Sequence, residues 1–138
     1  MIIAGVLLLP VFLLSVAVVL GSMIPSPAQR ALPATATHVQ EYYDSDLFSG
    51  DYTRFIKARI PEKEVAIFAN KMGVSERYSA RKHANLPVVI PSGDAPWWNP
   101  WNPTTRLEGA LFSCPPGKDK SVVALYSNGY LYYCEYKW

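Results

Sequence analysis

The side chains of this chain that could do chemistry are few and scattered. Cys114 and Cys134 are its two cysteines, and His38 and His83 its two histidines. A cysteine nucleophile needs an exposed thiol of lowered pKa beside an imidazole, and neither histidine flanks a cysteine in sequence. The same four residues would be the donors of a His2Cys2 zinc site, but the short paired spacings of such sites are missing. No metal or cofactor is expected. Cys114 and Cys134 make one possible disulfide in an exported chain. If residues 107–114, 120–127 and 130–137 form a simple meander, the two cysteines flank a common strand about 9–10 Å apart, farther than a disulfide reaches. A bridge then requires "SCPPGKD" to leave the sheet, and two buried free thiols are the alternative.

The acidic stretch "DSDLFSGD" offers Asp44, Asp46 and Asp51 as calcium ligands. Phe48 occupies the third ligand position and no glutamate closes the loop, so these residues read as hairpin-turn chemistry. Glu41, Glu108 and Glu135 are possible acid–base partners, yet no spacing joins them. Lys71, Arg77, Arg81, Lys82 and His83 form a local basic excess, which reads as a solvated helix end and loop. With a formal charge of +2 and both signs interspersed, the stripe expected of a nucleic-acid binder is absent.

The aromatic stretch "PWWNPWNP" holds three of the four tryptophans, Trp97, Trp98 and Trp101. In one reading they form an exposed platform for a sugar ring, a polyproline strand or a membrane interface. In the other they stack on a sheet and close its core. Burying a ring of ~200 Å² at ~25 cal/mol per Å² stabilises by several kcal/mol, so three exposed indoles would be costly without a ligand. The second reading is therefore favoured, with one indole partly exposed. Asn99 and Asn102 each precede a proline and fit turn initiation. The candidate ligand- or partner-binding residues are Trp97, Trp98 and Trp101 with Arg77, Arg81 and Lys82.

The elements that must position these residues lie beyond an N-terminal segment of different character. No charged side chain occurs from Ile2 to Gln29, and residues 1–24 have about the apolar length that crosses a bilayer. They read as a transmembrane or signal helix, the chain's membrane contact. Small residues at Ser26 and Ala28, or Ala34 and Ala36, suit cleavage, whereas the long apolar run without a preceding Lys or Arg suits retention. Arg30 behind the run leans towards a cytoplasmic domain, but the arrangement of apolar segment, tether and compact domain favours export. Residues 25–37, rich in Pro and Ala, read as an extended tether, and residues 38–138 as one extracytoplasmic domain.

Within that domain, "THVQEYY" and "DYTRFIKARI" have strand composition around a turn, which predicts a hairpin. Tyr52, Ile56, Ala58 and Ile60 alternate onto one face, with Arg54 breaking the series. "PEKEVAIFANKMG" has the grammar of a helix: Pro61 at the start, Glu62 and Glu64 in the first turn, Lys71 near the end and Gly73 as the stop. Val65, Phe68, Ala69 and Met72 form its apolar stripe, and Ile67 lies off it. Residues 74–103 read as a connection of about 30 residues, longer than most. "SVVALYSNGYLYYCEYKW" predicts a second hairpin about Asn128-Gly129, pairing Ser127 with Tyr130, Leu125 with Tyr132, Val123 with Cys134 and Ser121 with Tyr136. Both of its faces are apolar or aromatic, so it is central, and the Trp segment is the one greasy enough to cover the face without a helix.

The expected fold is α+β: an antiparallel sheet of four to five strands in the order ββαβββ with one helix on a face. The expected function is a small membrane-tethered or secreted non-enzymatic domain that binds another envelope component, a protein or a glycan, or serves as an accessory subunit of a membrane complex. An exported carbohydrate- or peptidoglycan-binding module using the tryptophans is the alternative, and an exported hydrolase the third reading.

Overall fold

The computed structural model describes residues 24–46, 48–83, 95–100, 109–114 and 119–138. The expected apolar helix of residues 1–24 thus lies almost wholly outside the described residues. Among these, no helix is long and apolar enough to cross a membrane. The chain divides into two compact units, Met1–Arg30 and Ala31–Trp138. The second unit thus begins at Ala31. In place of a wholly extended tether, Pro27–Ala31 forms a short helix, α1, whose first turn is capped by Ser26 Oγ accepting from the Gln29 N–H at 3.0 Å. Farther on, Thr35 Oγ1 donates to Glu64 Oε2 and Lys71 Nζ donates to the Ala31 carbonyl at 3.5 Å. Residues from Ala31 onwards are part of the second unit.

The domain is an antiparallel sheet with few helices. Its elements are β1 (Thr37–Ser45), β2 (Tyr52–Arg59), α2 (Glu62–Lys71), β3 (Glu76–Arg77), α3 (Ala80–His83), β4 (Leu111–Ser113), β5 (Lys120–Ser127) and β6 (Tyr130–Lys137). The six strands lie in the order β1-β2-β6-β5-β4-β3, one more than the four to five expected. The extra strand is β3, whose two residues, Glu76 and Arg77, pair with Phe112 and Leu111. Two charged residues carry no alternation, so the hydrophobic pattern is silent there.

The first hairpin closes through its own turn: Asp46 N–H donates to the Asp51 carbonyl at 2.9 Å, and Asp46 Oδ1 accepts from the Phe48 N–H at 2.8 Å. This carboxylate serves the turn, as Asx turns do. In the last hairpin the register is the one the Asn-Gly turn dictates, with Ser127 opposite Tyr130, Leu125 opposite Tyr132 and Val123 opposite Cys134. Asn128 and Gly129 both have positive φ, 52° and 83°, the signature of a type I′ turn. Long-range pairing then sets β2 beside β6, with Phe55 opposite Cys134 and Arg54 opposite Glu135.

Alternation along these strands gives the sheet two distinct faces. Ile56, Ala58, Ala124, Leu131 and Tyr133 share one, and α2 packs there: Val65, Phe68 and Ala69 are buried, and the Phe68 ring meets Tyr133 edge-on at 5.3 Å. Ile67 points away and is exposed, as its position off the stripe dictates. The helix ends in a Schellman motif, with Val74 N–H to the Ala69 carbonyl at 2.8 Å and Gly73 N–H to that of Asn70 at 3.0 Å; Gly73 takes the required positive φ of 71°. The second face carries Phe55, Phe112, Val123, Leu125, Tyr132 and Cys134, all buried.

Gly129 tests the turn chemistry directly. A Cβ there would meet nothing within 4 Å, so Gly129→Ala is strained by its backbone conformation alone. It is expected to cost ~1–2 kcal/mol, read from the urea midpoint, while Asn128→Gly leaves that midpoint nearly unchanged.

Candidate functional site

The second face is closed by the stretch 95–100. A turn from Ala95 to Trp98, bonded Trp98 N–H to the Ala95 carbonyl at 2.9 Å, lays the Trp98 indole flat on Phe55, with centroids 4.4 Å apart and planes 26° from parallel. The same indole meets Tyr132 edge-on at 5.7 Å. Trp98 is only 8% exposed, and Ala95 beside it is buried. Trp97 stands at right angles to it, centroids 6.1 Å apart, and is half-buried. Trp101 lies outside the described residues.

One cation ties this stretch to the sheet. Lys57, on β2, sends its Nζ to the Trp97 carbonyl at 3.3 Å and to Asn99 Oδ1 at 3.1 Å. The ammonium also sits 5.0 Å from the centroid of Tyr130 and 5.3 Å from that of Tyr132, where the ring quadrupoles attract it. Tyr132 Oη donates to the same Asn99 oxygen at 3.4 Å. Asn99 Oδ1 thus has two donors among the described residues, and the residue is exposed. The result is a fixed surface of two aromatic rings, Trp97 and Tyr130, around an ammonium and the Asn99 carboxamide.

A second polar cluster lies on the helix face, beyond the reach of α2. Glu135 is 5% exposed and collects hydrogen bonds from Tyr52 Oη at 2.6 Å, from Tyr133 Oη at 3.0 Å and from Lys120 Nζ. Arg54 Nη1 stands 3.9 Å away, and Arg54 Nε is 3.0 Å from Glu41 Oε1. That last contact is off the line a hydrogen bond needs and is chiefly Coulombic. Burial alone would raise the pKa of Glu135, but its hydrogen bonds from Lys120 and the two hydroxyls outweigh this and hold it below the usual carboxylate value. Burial, with the anion beside them, pushes the phenols of Tyr133 and Tyr52 up. Two carboxylates and two cations balance, which makes this a structural network.

Sequence reading missed most of both clusters. Glu41 and Glu135 are brought within reach of one arginine, and that arginine is the residue that broke the apolar series of β2. Glu108 lies outside the described residues. A glutamate among tyrosines in an otherwise apolar strand was the other available signal, but residues 54 and 135 meet only through the β2–β6 pairing. Lys57 gave no signal, because a lysine on a strand face is ordinarily solvated.

The remaining candidates do not converge on the tryptophans. Arg81 and Lys82 are exposed on α3, and Arg77 is exposed on β3, where it lines a cavity of about 290 Å³ with Glu62, Val65, Leu111 and Ala124. His83 anchors α3: its Nδ1 accepts from the Ser79 N–H at 2.9 Å, so the proton on Nε2 points at Glu76 Oε1, 3.1 Å away. The His83 ring also packs on Phe112, centroids 4.8 Å apart. Cys114 and Cys134 are both free, so the possible disulfide is not formed. They flank β5 from β4's end and β6, as the meander geometry requires. Burial pushes the Cys134 thiol up, the wrong direction for a nucleophile. Among the described residues no group of three or more His, Cys, Asp or Glu is placed to hold a metal. Compared with known proteins, the chain matches no family model, no curated protein and no solved structure.

Two predictions follow from the clusters. Trp98→Ala is expected to destabilise by about 3–5 kcal/mol through lost burial and a cavity, and Trp97→Ala by about 1 kcal/mol or less, both measured by urea unfolding. Because the folded pKa of Glu135 lies below its unfolded value, near 4.3, its contribution is complete above that value and is lost as pH falls through the folded one. Glu135→Gln should therefore destabilise at neutral pH by about 3 kcal/mol and flatten the loss of stability below about pH 4; an unchanged acid limb would show that Glu135 is not its source.

Proposed function

We propose that this chain is a non-enzymatic binding domain that engages another envelope protein, or serves as an accessory subunit of a membrane complex, through the surface around Lys57. The observation that carries the reading is the immobilised stretch 97–99. Its carbonyl and carboxamide are fixed by Lys57, so Trp97 and Tyr130 are presented with little conformational entropy left to lose on binding. Tryptophan and tyrosine are the residue types on which interface energy concentrates. The uncharged run of residues 2–24 supports attachment to a membrane or export through it, with the domain on the extracytoplasmic side.

A second reading rests on Asn99. Two aromatic rings flanking a carboxamide are the groups that stack on a sugar ring and hydrogen-bond its hydroxyls, so a glycan or peptidoglycan strand is the alternative ligand of the same surface.

The test uses the full chain extracted in mild detergent. A partner-bound particle heavier than the monomer, reduced by at least about tenfold in yield by Trp97→Ala while that variant still unfolds cooperatively, supports the first reading. A lone monomer whose tryptophan emission shifts with cell-wall glycan fragments supports the second. A monomer with no shift contradicts both.

A further inference from the structure

Among the described residues, the two edges of the sheet are unequal. β3 is two residues long, too short to template another strand, whereas β1 is a nine-residue edge. Long edges are usually blunted by lysine, proline or a bulge. β1 contains neither lysine nor proline, and its irregularity is confined to one end, between Thr37 and Gln40, where His38 has a φ of 50°. From Gln40 to Ser45 the register with β2 is unbroken, so the backbone runs extended for six residues with its outer side outside the sheet. Tyr43 is 52% exposed along it, and Val39, just before it, 41%.

We propose that β1 is a docking edge for an extended basic segment of a partner polypeptide, which joins the sheet as a seventh strand. Main-chain hydrogen bonds would supply the affinity and alternate side chains the selectivity. Charge decides the occupant. Residues 37–51 contain Glu41, Asp44, Asp46 and Asp51 and no Lys or Arg, in a chain whose formal charge is +2. Arg54 offsets Glu41, and Asp44 is exposed on the strand itself. In an antiparallel pair with a second copy of β1, neither strand supplies a lysine or arginine to offset its acids, whereas a basic segment does. A lysine of an added strand placed opposite Asp44 complements it. This edge is distinct from the surface around Lys57, so the proposal stands or falls separately from the function proposed above.

Hydrogen exchange on the full chain in detergent, read by mass spectrometry, tests it with a capped octapeptide alternating lysine and valine as probe. The expected result is slowed exchange in residues 40–45 with the rest of the domain unchanged, and binding at least about tenfold weaker when glutamate replaces lysine in the peptide. Asp44→Lys in the protein should weaken the lysine peptide similarly; if that variant fails to fold, the peptide charge swap carries the test alone. Protection elsewhere, equal binding of the glutamate peptide or no binding at millimolar probe overturns the proposal. So does a sedimenting dimer in which residues 40–45 are already protected without peptide, since a second copy would then occupy the edge.

Discussion

The stacking of Trp98 on Phe55, centroids 4.4 Å apart, is the contact that lets a sheet with one long helix bury both of its faces. α2 covers Ile56, Ala124 and Tyr133, but β2, β5 and β6 are as apolar on the other side. Phe55, Val123 and Cys134 there are 1% exposed or less. Exposing that face would cost several kcal/mol for each large side chain. A turn of four residues, tied down by one lysine, does what a second helix does in larger domains. This is the physical reason the largest side chains of the chain stand in a segment punctuated by prolines: Trp98 is a wall of the core, and Trp97 is carried along half-exposed.

The helix face solves a different problem at its far end. Beyond α2 the strands carry Arg54, Glu135 and Lys120, and the charges are retained by satisfying one another. Breaking such a set by removing one partner is costly even though the intact set adds modest net stability. A one-residue slip of β6 against β2 would exchange Glu135 for Cys134 or Tyr136 opposite Arg54, so the network also fixes the register of the longest-range pairing in the sheet. The domain is thereby held rigid from both sides, by a cation among aromatic rings on one face and by a charge network on the other. A rigid scaffold of this kind suits recognition through preformed surfaces.

Local chemistry was legible in the sequence, and long-range chemistry was not. Asn128-Gly129 dictated a turn type, and with it the register of eight residue pairs. Pro61, the two early glutamates and Gly73 bounded α2 to within two residues. The strand Glu76–Arg77 escaped because it has no apolar residue and acquires its conformation from β4. Residues 27–31 read as tether because their composition is that of a linker, whereas the cap supplied by Ser26 makes them helical. Lys57 and Glu135 draw their meaning from partners 42 and 83 positions away, Asn99 and Tyr52. Even so, Arg54 interrupting an apolar alternation marked the place, and such an interruption in a buried strand is a signal for a buried partner of opposite charge.

Thiol reactivity tests the closed second face most directly, because Cys134 lies in the core cluster with Trp98 while Cys114 is partly exposed at its margin. The measurement is the time course of alkylation of the unreduced full chain by intact mass, with each label located by fragmentation. The account predicts one rapid addition at Cys114 and a second, at Cys134, only at the rate of global unfolding. Rapid native-state labelling of Cys134 would contradict it, as a face open enough to admit the reagent is not closed by Trp98.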